Sequence, residues 1–208
     1  MLVAAAAGCS GTVPAAEAPR AEYDRGRLSR VAFDANHNGR NDAAGLMDGT
    51  RIKQIELDAD ENGKVERWDI YGPNWKLERV GLSHRNDGVM DAQAFYSSAG
   101  KLERLELATA RDGRFNRTEF YEAGLLVRSA EDTDGDGRPD KWDTYRPYPD
   151  ALPGEPEYAI TSVAFDDHRR GTPDRRFVFS PNGSVARVEI DPDGDGQFTA
   201  APQRAGKE

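Results

Sequence analysis

The sequence predicts an all-β fold, an antiparallel meander of about seven strand–turn–strand units that forms a curved or closed sheet. Three observations carry this. Glycines recur at 39, 63, 88, 113, 137, 171 and 196, separated by 24, 25, 25, 24, 34 and 25 residues, and a fixed period of this size is the mark of a repeat architecture. Between them lie runs of six to nine residues of alternating character bounded by Gly, Pro, Asn and Asp, which are strand signals. Apolar three–four spacing with helix caps is missing throughout.

Each unit reads the same way. The residue before the glycine is Asn38, Asn62, Asp87, Asp112, Asp136, Arg170 or Asp195, and three places after it stand Asp42, Glu66, Asp91, Asn116, Asp140, Asp174 and Thr199. Eight places after it come Tyr71, Tyr96, Tyr121, Tyr145 and Phe179, read as sheet packing. A second turn falls halfway round the period, at Gly72-Pro73-Asn74, Ser98-Ala99-Gly100, Glu122-Ala123-Gly124 and Ser180-Pro181-Asn182-Gly183. Returning strands follow, such as Lys76 to Val80, Lys101 to Leu107 and Ser184 to Ile190. Alternation predicts one apolar face bearing Trp68, Ile70, Phe95, Phe120 and Trp142 with Ile55, Leu57, Val80, Leu105 and Leu107. The other face would carry Arg67, Asp69, Tyr71, Arg117, Glu119 and Tyr121 against Leu102, Arg104 and Glu106.

The composition bounds the function. The 208 residues carry a formal charge of −9, and Leu, Ile, Val and Phe account for only 36 of them. Such a poor aliphatic content rules out a large conventional core, although neighbour support within a repeat array can still order the chain. Lys and Arg are interleaved with acids, which argues against nucleic acid as a partner. No stretch of about 20 apolar residues is present. His37, His84 and His168 stand in dissimilar contexts, no nucleophile has a matched base, and the chain is expected not to be an enzyme.

The expected organisation runs from a signal remnant (1–9) through a flexible linker (10–25) to the repeat domain (26–200) and a disordered tail (201–208). A Pro-rich insertion at 146–157 makes an excursion or hinge in the lengthened unit. Cys9 is the only cysteine, so no internal disulfide can form. Ala6-Ala7-Gly8-Cys9 resembles a bacterial lipobox, with Ala6 where Leu is usual. The resemblance implies lipidation at Cys9 and attachment to a membrane, with Ser10 compatible with the outer membrane.

The loops carry the chemistry. Asp132, Asp134, Asp136, Asp140 and Asp143 stand at places 1, 3, 5, 9 and 12 of a twelve-residue run, with Gly137 at place 6 and the Arg138 carbonyl at place 7. Alternate side chains of a tight loop converge, and crowded carboxylates are tolerable only around a cation, for which hard oxygen donors select calcium. Asp58, Asp60, Asn62, Lys64 by its carbonyl, Glu66 and Asp69 repeat the pattern. Asp34, Asn36, Asn38 and Asp42 keep it with fewer charges, and Asp191, Asp193 and Asp195 begin it before Thr199 breaks it. The loops at Gly88, Gly113 and Gly171 have Ser83 and Arg85, Ala108 and Ala110, and His168 and Arg170 at odd places, and are expected to be plain turns.

These runs resemble the acidic Asp-x-Asp-x-Asp-Gly calcium loops of EF-hands, thrombospondin type 3 repeats and integrin-like propeller repeats, here between strands. In the other half of the unit, Tyr-x-x-x-Gly-Lys-Leu-x-x-Leu is similar to MORN-type hairpin repeats, which implies a bent scaffold sheet. The combined expectation is a calcium-binding structural or adhesive protein of the bacterial cell envelope, with an envelope protein or glycan as further partner. The alternative is a metal-independent scaffold that holds a peptide, glycan or partner protein.

Overall fold

The computed structural model describes residues 18–110, 112–148 and 158–201. These form fifteen strands and, among the described residues, no helix. In order they are β1 Arg20–Asp24, β2 Arg27–Phe33, β3 Ala43–Asp48, β4 Arg51–Leu57, β5 Arg67–Tyr71, β6 Leu77–Leu82, β7 Ala92–Tyr96 and β8 Leu102–Leu107. They continue with β9 Arg117–Glu122, β10 Leu125–Glu131, β11 Lys141–Pro147, β12 Tyr158–Phe165, β13 Arg175–Phe179, β14 Val185–Ile190 and β15 Thr199–Ala200. All pair antiparallel, each with its sequence neighbours, in one sheet ordered β1 to β15. The first and last strands do not meet, so the sheet is open and a single layer.

Two kinds of connection alternate. Short turns close six of the seven hairpins on one edge, β11 and β12 being joined through 148–157: Arg25 and Gly26, like Ala123 and Gly124, both take positive φ, the geometry that matches the twist of the flanking strands. Loops of nine residues, eight in the last, close the other edge. A bulge interrupts all seven hairpins at the same point, leaving Ser29, Lys53, Glu78, Glu103, Val127, Thr161 and Ala186 as the extra residues. Their spacing equals the glycine period. Each bulge sharpens the local twist, so a regular series of them coils the sheet progressively.

The register corrects the predicted faces. Side chains of directly opposed residues lie on the same side of a sheet, and Ile55 opposes Asp69, Leu57 opposes Arg67 and Val80 opposes Asp69. Leu105 and Leu107 likewise oppose Glu119 and Arg117. The aliphatic residues of the returning strands therefore share a face with the Arg, Asp and Tyr residues. Arg104 opposes both Phe95 and Phe120, and Glu106 opposes Gln93 and Thr118, placing them with Trp68, Ile70 and Trp142. Alternation is as expected within β5, β7 and β9, but the bulge at Glu103 sets Leu102 opposite Tyr96 and Arg104 opposite Phe95, on different faces, and the pairing across the loops sets which residues face together, where a one-residue difference inverts the answer. Neither face is purely apolar, which suits a sheet with water on both sides.

What is buried follows from this. The buried apolar residues are mainly small, Ala43, Ala44, Ala92, Ala94 and Ala164, with Val80, Leu126 and Tyr145, whereas Asp42, Asp91, Asp166, Asp174 and Asp191 of the loops are also buried. Asp191 is 1% exposed. Mid-sheet, Arg117 is held by Glu119 (3.0 Å), Glu131 (3.1 Å), Asp143 (3.3 Å) and the Tyr145 hydroxyl (2.9 Å).

The domain boundaries shift slightly. β1 begins at Arg20, so residues 20–24 belong to the sheet and not to the expected linker at 10–25. Ala201 still donates its N–H to the Val188 carbonyl (2.9 Å). Pro147 opposes Tyr158, so both ends of the Pro-rich insertion are fixed in paired strands rather than forming a hinge between separate pieces. Residues 149–157 of the insertion, Cys9 and its lipobox, and the tail from 202 onward lie outside the described residues.

Candidate metal centre

All the acidic loops project from one edge of the sheet, in a row. Adjacent ones are two strands apart, about 9.4–9.8 Å. Their shared shape is built by three places. The place-1 carboxylate accepts the N–H of the place-6 glycine: Asp34 from Gly39 (2.8 Å), Asp58 from Gly63 (2.8 Å), Asp132 from Gly137 (2.8 Å), Asp166 from Gly171 (2.5 Å) and Asp191 from Gly196 (2.8 Å). The place-9 side chain reaches back to the place-2 N–H: Asp42 to Ala35, Glu66 to Ala59, Asp91 to His84, Asn116 to Thr109, Asp140 to Thr133 and Asp174 to Asp167. Place 6 takes positive φ in all seven loops, as does place 4 at His37, Glu61, Asn86, Gly135, Arg169 and Gly194. Glycine at place 6 avoids the left-handed penalty of an L-residue there.

Three loops gather carboxylates. Asp58, Asp60 and Glu66 bring one oxygen each within 4.8 Å of one another, as do Asp132, Asp134 and Asp136, and Asp191, Asp193 and Asp195. An acid at place 3 is common to these triads. The loop at Gly39 contributes only Asp34 and Asp42 as acids, with Asn36 Oδ1 accepting the Asn38 N–H (3.0 Å).

The structure corrects the expected ligand set at two places. Place 12 lies on a strand and not on a helix, so its side chain is turned away from the loop. Asp143 is buried on the sheet, accepting from Ser129 Oγ (3.1 Å) and the Tyr145 hydroxyl (3.2 Å), and Asp69 pairs with Arg67 at 2.7 Å. At place 9, Asp140 is outside its triad and is taken up by the Thr133 N–H and hydroxyl; Glu66 both braces Ala59 and joins its triad. Each candidate centre thus offers three side chains from the loop, with the place-7 carbonyl of Lys64 or Arg138 as the expected fourth donor.

In each triad one carboxylate is held in the ionised form: Asp60, Asp132 and Asp191. Hydrogen bonding from Asn86 lowers the Asp60 pKa below the ordinary 3.8. At Asp132 and Asp191, desolvation pushes upward but is outweighed by backbone N–H donors, above all Gly137 and Gly196, and both pKa values fall.

Neighbouring loops also clamp one another, which the sequence reading missed. Arg169 reaches Asp134 (2.8 Å), Arg170 donates to the Pro192 carbonyl (2.9 Å) and Arg40 pairs with Glu61 (2.7 Å). Asn62 and Asn86 link through their amides (3.2 Å). The signal was present: loops poor in acid carry arginine at places 3, 4, 5 or 7 and sit beside acid-rich ones along the edge.

No family model matches the chain, and no curated protein matches it. Among solved structures, one titled "Crystal structure of GtfA/B complex" is similar over 60% of this chain and 19% of that chain, with 14% identity and a TM-score of 0.23. The chain spans about a fifth of that protein's length.

Proposed function

We propose that this chain is a calcium-binding structural or adhesive β-repeat protein of the bacterial cell envelope, anchored by a lipid on Cys9 and without enzymatic activity. The observation that carries the reading is the triad of converging carboxylate oxygens at Asp58/Asp60/Glu66, Asp132/Asp134/Asp136 and Asp191/Asp193/Asp195. The donor set fits calcium in kind: hard, mostly charged oxygens on a loop shaped by other contacts. Loss of the place-12 ligand leaves coordination to be completed by water and supports the weak affinity of extracellular modules, about 10⁻⁴ to 10⁻³ M. The acidic loops in this reading are EF-hand-like and thrombospondin type 3-like, set in MORN-like hairpins. Bound calcium would neutralise the loop edge and stiffen the array, because each loop joins two hairpins.

Isothermal titration with calcium, and urea unfolding in calcium and in EGTA, test the reading. Heat of binding that disappears in an Asp60→Asn, Asp134→Asn, Asp193→Asn variant supports it; an unchanged midpoint at several millimolar calcium and no titration heat overturn it. Membrane fractionation of cells expressing the chain and its Cys9→Ser variant tests the anchor separately.

A further inference from the structure

The loop edge leaves one feature unexplained: a cationic and aromatic stripe across the middle of a sheet face in an acidic protein. The register places Arg79, Phe95, Arg104, Phe120 and Arg128 in one cross-strand row on successive strands β6 to β10. The guanidinium groups lie over the rings, Arg104 4.0 Å from the centroid of Phe95 and Arg128 3.8 Å from that of Phe120, with Arg79 5.9 Å from Phe95. Burying the lower side of each guanidinium on a ring holds it in place while its outer face stays open to solvent.

Two of the three cations are unmatched. Among the described residues Arg79 makes only a hydrogen bond to Gln93 (2.9 Å) besides its ring contact, and Arg128 has no carboxylate partner. Arg104 pairs with Glu106 (3.3 Å), but its Nε is buried with no acceptor. A shallow groove of about 550 Å³ includes Phe95, Arg104 and Phe120 of the row and is lined also by Asn74, Lys76, Ser97 and Ser98 and the bulge residues Glu78 and Glu103.

We propose that this stripe is a binding surface for an extended acidic polysaccharide, one that carries a carboxylate on widely spaced sugars. The cations stand on every second strand, about 9.4–9.8 Å apart, so they match a polymer with sparse, regular charge rather than one with a charge on every short step. The groove's mixture decides between polyanions. Glu78 and Glu103 in the groove, Glu106 beside Arg104 and a net charge of −9 repel a phosphate backbone, whose binding depends on dense positive charge. The same glutamates, with Asn74, Ser97 and Ser98, are acceptors and donors for sugar hydroxyls, while guanidinium planes offer flat surfaces for sugar rings. The surface is on a face and the triads are on an edge, so the two proposals stand or fall separately.

The test measures binding of a defined oligosaccharide of alternating glucuronate and N-acetylglucosamine, with a carboxylate on every second sugar, to the whole chain in EGTA, which prevents calcium at the loops from bridging to the uronate. The methyl-esterified oligomer, an oligodeoxynucleotide and polyglutamate are the comparison probes. Arg79→Gln and Arg128→Gln should each weaken uronate binding about two- to fivefold, as expected for exposed charge contacts, and the pair of changes more. Arg128→Lys, which keeps charge but not the planar group, should fall between. Arg25→Asn at a distant turn should bind as the parent does, and circular dichroism confirms that the variants fold. No uronate binding at millimolar concentration, equal binding of the esterified oligomer, unaltered affinity in the double variant, or preferential binding of the oligonucleotide or polyglutamate would each overturn the proposal.

Discussion

The loop at 132–140 and the loop at 166–174 follow the same course with opposite electrostatics. In both, an aspartate at place 1 accepts the place-6 glycine N–H and an aspartate at place 9 accepts the place-2 N–H. They differ between these supports. The first carries Asp134 and Asp136, which complete a carboxylate triad; the second carries His168 and Arg170, with Arg169 extended to Asp134 of its neighbour. Places 1, 6 and 9 therefore make the loop, and places 3 and 5 decide what it does. A cation is supplied to the acidic edge in either case, by a guanidinium from the adjoining loop or, on the proposed function, by calcium.

The largest effect expected from this division is in calcium itself. At roughly 10 mM calcium each occupied triad should add about 1.4 to 2.7 kcal/mol to unfolding stability, taking the weak affinity above. Introducing Ser83→Asp and Arg85→Asp into the loop at 83–91, whose Asp91 brace is already present, should add one calcium equivalent by titration. Those changes put acids at places 1 and 3 beside the Asp87 already at place 5; if they add none, acids at places 1, 3 and 5 on a braced loop are not sufficient and the division is wrong.

Removing the shape should be costly in both classes alike. Gly63 and Gly171 have φ of +85° and +82° with nothing within 4 Å of an added Cβ, so alanine introduces backbone strain alone, about 1 to 2 kcal/mol at either site. Urea midpoints in EGTA that differ greatly between the two variants would show that the loops are held differently.

The place-9 brace should matter somewhat less. Asp174→Ala removes the acceptor of the Asp167 and His168 N–H groups, a loss comparable to that of a capping residue, about 1 kcal/mol, and calcium should not alter it. Chemical denaturation with and without calcium checks this.

Acid should act on both loops in the same direction. The pKa values of Asp132 and Asp166 both lie below 3.8, where desolvation raises them but backbone N–H donors, Gly137 for Asp132 and Arg170 for Asp166, bring them down further. A carboxylate with a depressed folded pKa stabilises fully above its unfolded value and loses that contribution as pH falls through the folded one. Stability in EGTA should therefore hold down to about pH 3.8 and decline below it, read from urea midpoints across that range.

The smallest change is expected at the clamp. The ion pair between Arg169 and Asp134 is exposed on the arginine side, and Arg169→Ala should cost less than about 1 kcal/mol without metal. It should tighten calcium binding at the Asp132 loop, since the displaced cation no longer competes; weaker binding would show that the arginine orients the triad instead.

Much of this molecule was legible in the residues. Gly39 through Gly196 set the period, the paired turns set antiparallel strands, and Asp58, Asp132 and Asp191 at place 1 marked the triads. Place 12 misled because spacing alone counts Asp143 as a ligand although strands are expected to flank the loop, and the strand carries Asp143 onto the sheet beside Ser129. The bulges at Glu78 and Glu103 were not legible: they depend on how two strands fit and have no residue type of their own, as Ser29, Lys53 and Val127 at the equivalent points show. The arginine–phenylalanine row was hidden for the same reason, since Arg104 and Phe95 meet only through the register.

The sequence by itself determined the class of fold, the number of hairpins and the chemistry of the loop edge, because turns, alternation and ligand spacing are local. Which residues share a face, where the place-12 acids go and how neighbouring loops exchange charge were decided only in the tertiary structure. Those outcomes depend on pairing between strands, and a shift of one residue in that pairing reverses the side on which every following side chain emerges.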